Sequence, residues 1–146
     1  MRSDQVVCKM ITTFLWCAIA ASSLPLDRIA LPDGFIIAEY VSGIPDARSM
    51  AIGPKGTLIV GTRNDGRLWA VLDTNGDFRV DRKVAIASGL TNPNGVAFNG
   101  ADLYVAERSR ILKYPNIEER IDRVPQPQII KADFPSQQHH GWKYIA

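Results

Sequence analysis

The chain has 146 residues, 46% of them hydrophobic and 22% charged, with a formal net charge of +2 at pH 7. That length fits one ordinary globular domain. So small a charge, with Lys and Arg nowhere in a run, argues against a nucleic-acid partner.

The first two dozen residues read as a leader. Arg2 and Lys9 flank a polar start, residues 10–21 are mostly apolar, and "AIAASS" offers Ala18-x-Ala20 and Ala20-x-Ser22 as cleavage sites. A positive start, a short apolar core and a small-residue exit define a secretory signal. The apolar run of about 12 residues is shorter than the roughly 20 that a spanning helix needs. Residues 1–22 are therefore expected to be a signal peptide and 23–146 the exported chain, periplasmic or extracellular, with no stable membrane span; an uncleaved anchor is the lesser alternative. Trp16 ahead of Cys17 argues against a lipoprotein site. Both cysteines, Cys8 and Cys17, lie in the leader, so the exported chain is expected to contain no disulfide.

Beyond the leader, short alternating apolar runs are punctuated by Gly, Pro, Asn and Asp, and "NIEERIDR" (116–123) is at most a turn or two. This predicts an all-β protein with closely spaced turns. The pattern also repeats. "SGIPDARSMAIGPKGTLIVGTRNDGRLWAV" from Ser42 matches "SGLTNPNGVAFNGADLYVAERSRILKY" from Ser88, and both Ser42 to Ser88 and Ala51 to Ala97 are steps of 46. A period of 40–50 with several strands per unit predicts β-propeller blades. "KYIA" (143–146) reads as the next opening strand, giving about two blades plus the first strand of a third. Closure takes at least four blades, so the chain is expected to be the N-terminal part of a longer protein.

Alternating strand direction sorts the connections onto two faces. "IPDARS", "TNPNG", "SQQHHGW", "TRNDGR" and "ERSR" fall on one face; "GPKG", "NGAD" and "DTNGD" fall on the other. Function is expected on the first. Its third entrance loop is enlarged: Ile44 to Ala51 and Leu90 to Ala97 each span seven positions, whereas Phe134 to Ala146 spans twelve, and both histidines of the chain lie in that extension. Long loops on a rigid scaffold often carry function.

Taken together, "LPDGFIIAEYVSGIPDARSMAIGPKGTLIVGTRNDGRLWAV", "SGLTNPNGVAF" and "HHGWKYIA" resemble, over residues 31–146, the glucose/sorbosone dehydrogenase family. The resemblance implies a six-bladed propeller and an exported quinoprotein that uses pyrroloquinoline quinone (PQQ) and calcium. It further implies a small-molecule sugar or aldehyde substrate and a separate electron acceptor. A histidine would take the substrate hydroxyl proton while hydride passes to the quinone, a role suited to imidazole near neutrality. That base maps to His140, with His139 as the alternative. Asn94, then Asn92, map to a polar contact near the quinone, although Asn-Pro and Asn-Gly are also plain turn formers. Arg48, at the equivalent point of the first repeat, is a further cofactor-binding candidate. Arg63 and Arg108 stand beside it as rim charges that could face an anion. The family's remaining quinone and calcium ligands lie in blades absent from this sequence, so the chain alone is expected to be inactive.

Two other classes remain open. A metal-dependent lactonase propeller would use Asn94 as a ligand but leaves the histidine pair without a role. A non-catalytic binding propeller would need neither histidine. No metal ligands are assigned: "DTNGDFRVD" (73–81) has acidic spacing like an EF-hand, but Phe78 replaces the required glycine and Val84 the terminal glutamate, so it is read as a hairpin turn. The leader carries its own prediction. N-terminal sequencing of the exported protein should begin near Ser23 or Leu24, and an intact Met1 on exported material would refute the cleavage.

Overall fold

The computed structural model describes residues 25–137 and 141–146; the expected leader and both histidines, His139 and His140, lie outside them. The chain divides into two compact units, Met1–Ala38 and Glu39–Ala146. In the first, the described residues form a 3-10 turn at Leu26–Arg28. A second turn is closed by the Phe35 N–H donating to the Pro32 carbonyl.

The second unit is built from eight strands: β1 (Ala47–Ile52), β2 (Leu58–Thr62), β3 (Leu68–Leu72), β4 (Arg82–Ala87), β5 (Gly95–Asn99), β6 (Asp102–Ala106), β7 (Ile111–Tyr114) and β8 (Gln128–Lys131). They make two four-stranded antiparallel sheets, each in sequential order, β1-β2-β3-β4 and β5-β6-β7-β8. The two sheets thus correspond to the two sequence repeats. Among the described residues no helix is long and apolar enough to cross a membrane.

The sheets share one core, in which Ile59, Leu68, Ala70 and Ile86 of the first meet Val96, Leu103, Val105, Leu112 and Tyr114 of the second. Cross-strand pairs such as Val96 with Val105, and Val105 with Leu112, put these side chains on one face of the second sheet. β2 and β3 are buried almost throughout, which is why "LIVGT" and "LWAVL" read as continuous apolar runs. β1 and β2 pack against β5. There Gly61 faces the Pro93 carbonyl so closely that a Cβ would not fit.

The turns behave as their residues dictate. In "GPKG" Pro54 presets one φ, Gly56 takes φ +89° and the Gly53 N–H donates to the Thr57 carbonyl. "NGAD" is a tight hairpin in which Asn99 pairs with Asp102 and Gly100 takes φ +58°. The 73–81 segment is a turn between β3 and β4. Its carboxylates accept the loop's own N–H groups, Asp73 from Gly76 and Phe78, and Asp81 from Thr74. The 116–123 stretch forms two 3-10 turns, Ile117–Glu119 and Ile121–Arg123, which drop Ile117 and Ile121 into the core. Between them they also clamp the first sheet. Glu118 accepts the N–H groups of Lys55 and Thr57, Glu119 pairs with Lys55, and Asp122 pairs with Arg82.

One expected element differs. Residues 143–146 form no strand; among the described residues no strand pairs with them to complete a ladder. They run instead past β5, where the Asn94 side chain donates to the Lys143 carbonyl, and Ile145 lies near Ala97, Tyr104 and Ile111.

Two predictions follow from the packing. Gly61→Ala should destabilise the unit by about 1–3 kcal/mol through overpacking; an unshifted denaturant midpoint would contradict the close approach. Tyr114, 2% exposed, has its phenol pushed up to about 12 by burial and then by the Glu107 charge, with Arg110 opposing. Because the folded value lies above the ordinary 10.0, its stabilising contribution is complete below pH 10 and is lost as the pH rises toward 12. Ultraviolet titration of a Tyr114→Phe variant should lack this late-titrating phenol, and its stability should fall less over that interval.

Candidate functional site

The antiparallel topology places the β1 and β5 entrance loops on the same face as the β2–β3 and β6–β7 connections, as the alternation of the sequence requires. Backbone bonds tie these loops together. The Arg63 N–H donates to the Asp46 carbonyl, Leu90 to Gly66, Arg108 to Thr91, and Phe134 to Ser109. Asp46 and Asn92, which occupy equivalent positions in the two repeats, both sit in the left-handed region, at φ +53° and +49°. Asp and Asn tolerate that conformation where β-branched residues do not.

Three guanidinium groups converge on this face. Arg63 lies over the Trp142 ring with Cζ 4.3 Å from the ring centroid, and Arg48 lies over the same ring at 5.0 Å. Both are within cation–π range. Arg108 donates to Asn92 Oδ1 at 2.5 Å, and Asn92 Nδ2 donates to the Arg63 carbonyl at 3.0 Å. Asn92 is thus a brace between two arginine-bearing loops, and its positive φ is that of the turn residue the sequence suggested. Buried Gly141 packs against the Arg108 side chain, where a Cβ would collide with it.

Asn94 is disposed differently. Its Nδ2 donates to the Lys143 carbonyl at 3.5 Å, while its Oδ1 is buried with no partner among the described residues. Arg63 Nε is likewise buried and unpartnered. Buried polar atoms are nearly always hydrogen-bonded, so Asn94 Oδ1 and Arg63 Nε, like Asp65 Oδ2 and Trp69 Nε1, are atoms for which a partner beyond the described residues is expected. Behind the loop, Glu107 is 1% exposed. Its Oε1 accepts the Thr91 N–H at 2.5 Å and its Oε2 pairs with Arg110.

Of the residues expected from sequence, Arg48, Asn92 and Asn94 therefore share one loop face, and His139 and His140 fall outside the described residues. Arg63 and Arg108 are half-buried and engaged rather than solvated. The sequence pattern singles out neither Trp142, which lies in the "SQQHHGW" entrance loop, nor Glu107, which lies in the "ERSR" connection. A tryptophan beside glycine after an enlarged loop was the available signal for the first; nothing local marked the second.

The architecture defines an all-β protein in which two consecutive four-stranded antiparallel sheets stack face to face and gather their functional candidates at one loop end. No protein-family model matches the chain, and no curated protein matches it. Solved structures do. The holo form of the PQQ domain of pyranose dehydrogenase from Coprinopsis cinerea aligns with a TM-score of 0.62 at 18% identity, over 75% of this chain and 27% of that one. The calcium structure of a Carbohydrate-Active Enzymes Family AA12 protein from Trichoderma reesei aligns with a TM-score of 0.52 at 17% identity, over 65% of this chain and 25% of that one. At these identities the likeness is one of fold: the chain has the fold of part of a PQQ domain. It spans about a quarter of the length of these neighbours.

Proposed function

We propose that the protein is the first part of a PQQ-dependent dehydrogenase of the glucose/sorbosone type, a six-bladed propeller that oxidises a sugar or aldehyde hydrate. The observation that carries this reading is the pair Arg48 and Arg63 over Trp142, on the same loop face as the Arg108–Asn92 bond and as Asn94 Oδ1, which has no partner among the described residues. PQQ is a planar polycarboxylate, and this donor set fits it. Guanidinium groups suit carboxylates, an indole suits an aromatic face, and amides suit ring carbonyl and N–H groups. The fold likeness to a PQQ domain supports the same reading.

When bound, PQQ supplies an acceptor for the hydride equivalent of the substrate C–H bond. Arg48 and Arg63 would bind carboxylates, and Arg108 would keep Asn92 spanning the loops. Asn94 Oδ1 would accept a hydrogen bond from ligand. His140, or its neighbour His139, would take the substrate hydroxyl proton at an imidazole nitrogen. The described donors of this face suit an anion, so calcium ligands are assigned to none of them.

A second reading has one specific observation in its favour. Asn94 Oδ1 is a free acceptor of the kind that a metal-dependent lactonase propeller would direct at a cation, although three nearby guanidinium groups oppose a cation there.

Titration of the chain with PQQ, followed by quenching of Trp142 emission, separates these readings. Weak saturable binding is expected, with a Kd of roughly 1 μM to 1 mM, and Arg48→Leu with Arg63→Leu should weaken it at least about tenfold. No sugar oxidation is expected from the chain alone. In a protein carrying the full propeller, His140→Ala should lower kcat by about 10²–10⁴ with PQQ affinity retained. Absence of saturable quenching, or calcium binding abolished by Asn94→Ala with lactone hydrolysis in its place, would sink the quinoprotein reading.

A further inference from the structure

We propose that Glu107 is a positioning residue, whose carboxylate holds the 91–94 loop so that Asn92 and Asn94 are presented to the site. The inference builds on the function proposed above and extends it to a residue that touches no ligand. Glu107 closes β6 as a buried charge, and a buried charge persists only when fully partnered. Its two oxygens divide the work: Oε1 takes the Thr91 N–H and Oε2 takes Arg110. Two backbone bonds complete the frame, from Glu107 N–H to the Arg110 carbonyl at 2.9 Å and from Arg108 N–H to the Thr91 carbonyl at 3.1 Å.

The internal repeat supplies the control. Aligning "TLIVGTR" with "DLYVAER" puts Thr62 where Glu107 stands. Thr62, also buried, accepts the Arg67 N–H at 3.0 Å and donates to the Arg67 carbonyl at 2.8 Å. A hydroxyl is therefore enough to close the hairpin; a longer side chain ending in an acceptor oxygen reaches the entrance loop as well. In the first sheet that cross-loop tie is made from the other side, by the Asp46 carboxylate accepting the Asn64 N–H at 3.1 Å. There the entrance loop spends its own side chain on the tie. In the second sheet Glu107 supplies the tie from behind, leaving Asn92 to span Arg63 and Arg108 and leaving Asn94 Oδ1 without a partner among the described residues.

The test uses Glu107→Thr, which installs the residue of the first repeat, and Glu107→Gln, which keeps an oxygen for Thr91. Amide hydrogen exchange should accelerate about tenfold or more at Thr91 in Glu107→Thr, with Val96 and Val105 unchanged, and should return to within about threefold of wild type in Glu107→Gln. PQQ affinity, read from Trp142 quenching, should fall about tenfold in Glu107→Thr and recover in Glu107→Gln. Unchanged exchange at Thr91, equal acceleration at Thr91 and Val105, or faster Thr91 exchange with unaltered PQQ affinity would each overturn the proposal. If wild type shows no quenching at all, it is the quinoprotein reading that fails, and the exchange data alone decide whether Glu107 holds the loop.

Discussion

Two twisted four-stranded sheets can share a core only if their nearest strands approach closely, and at the loop end of this unit that approach depends on residues without side-chain bulk. Gly61 on β2 lies under the Pro93 carbonyl and against Val96 of the second sheet, while Gly95 on β5 makes room for Ala106 of its own sheet and for the Lys143 carbonyl. Neither position has room for a Cβ. The entrance loop of the second sheet can therefore rest on the first sheet, which brings the Asn92 amide within reach of the Arg63 carbonyl. Away from that end the sheets are held by large apolar groups, including Ile117, and by the acidic clamp around Lys55 and Thr57. Exposed ion pairs of this kind add little stability, so the apolar layer sets the spacing and the clamp fixes the orientation.

The same repeat is used twice with different outcomes. Val96 is 5% exposed because the first sheet covers it, whereas its repeat-mate Met50 is 65% exposed, with no sheet covering it among the described residues. Arg48 at the start of β1 corresponds to Asn94 just ahead of β5, so equivalent positions of the two repeats carry a cation and an amide. The left-handed residues Asp46 and Asn92 keep the loop shape constant while the side chains diverge. The side chains vary on a fixed turn geometry, as expected where a rigid scaffold carries variable loops.

Much of this was legible in the sequence because it depends on local rules. Alternation gave the strands, Gly and Asn gave the turns, and antiparallel connectivity assigned the loops to faces. The left-handed Asn92 was foreshadowed by its turn-forming sequence. What local rules could not show was side-chain reach. Glu107 looks like any polar residue at a strand end, and only the fold reveals that it bridges sixteen positions to Thr91. Glu118 likewise sits in a charged stretch, while its partners in the "GPKG" turn are more than sixty positions away. The strand expected at 143–146 failed for a related reason: a strand is defined by its neighbour, and periodicity cannot supply one.

A net charge of +2 conceals an uneven distribution. Around the opposite turns, Lys55, Arg82 and Lys113 are matched by Glu119, Asp122 and Asp102. On the loop face Arg67 has Asp65 and Arg110 has Glu107, but among the described residues Arg48, Arg63 and Arg108 join no ion pair. Trp142 compensates two of them only in part. A cation–π contact is worth about 0.5–1 kcal/mol at an exposed site, less than the roughly 1.5–3 kcal/mol of a hydrogen bond to a charged group. The indole also accepts no strong hydrogen bond. It orders the Arg48 and Arg63 side chains while leaving their N–H donors to be satisfied by something else. An ordered pair of guanidinium groups pays less conformational entropy on binding than a free pair would, so stacking that adds little stability of its own would favour the anion binding proposed for this face.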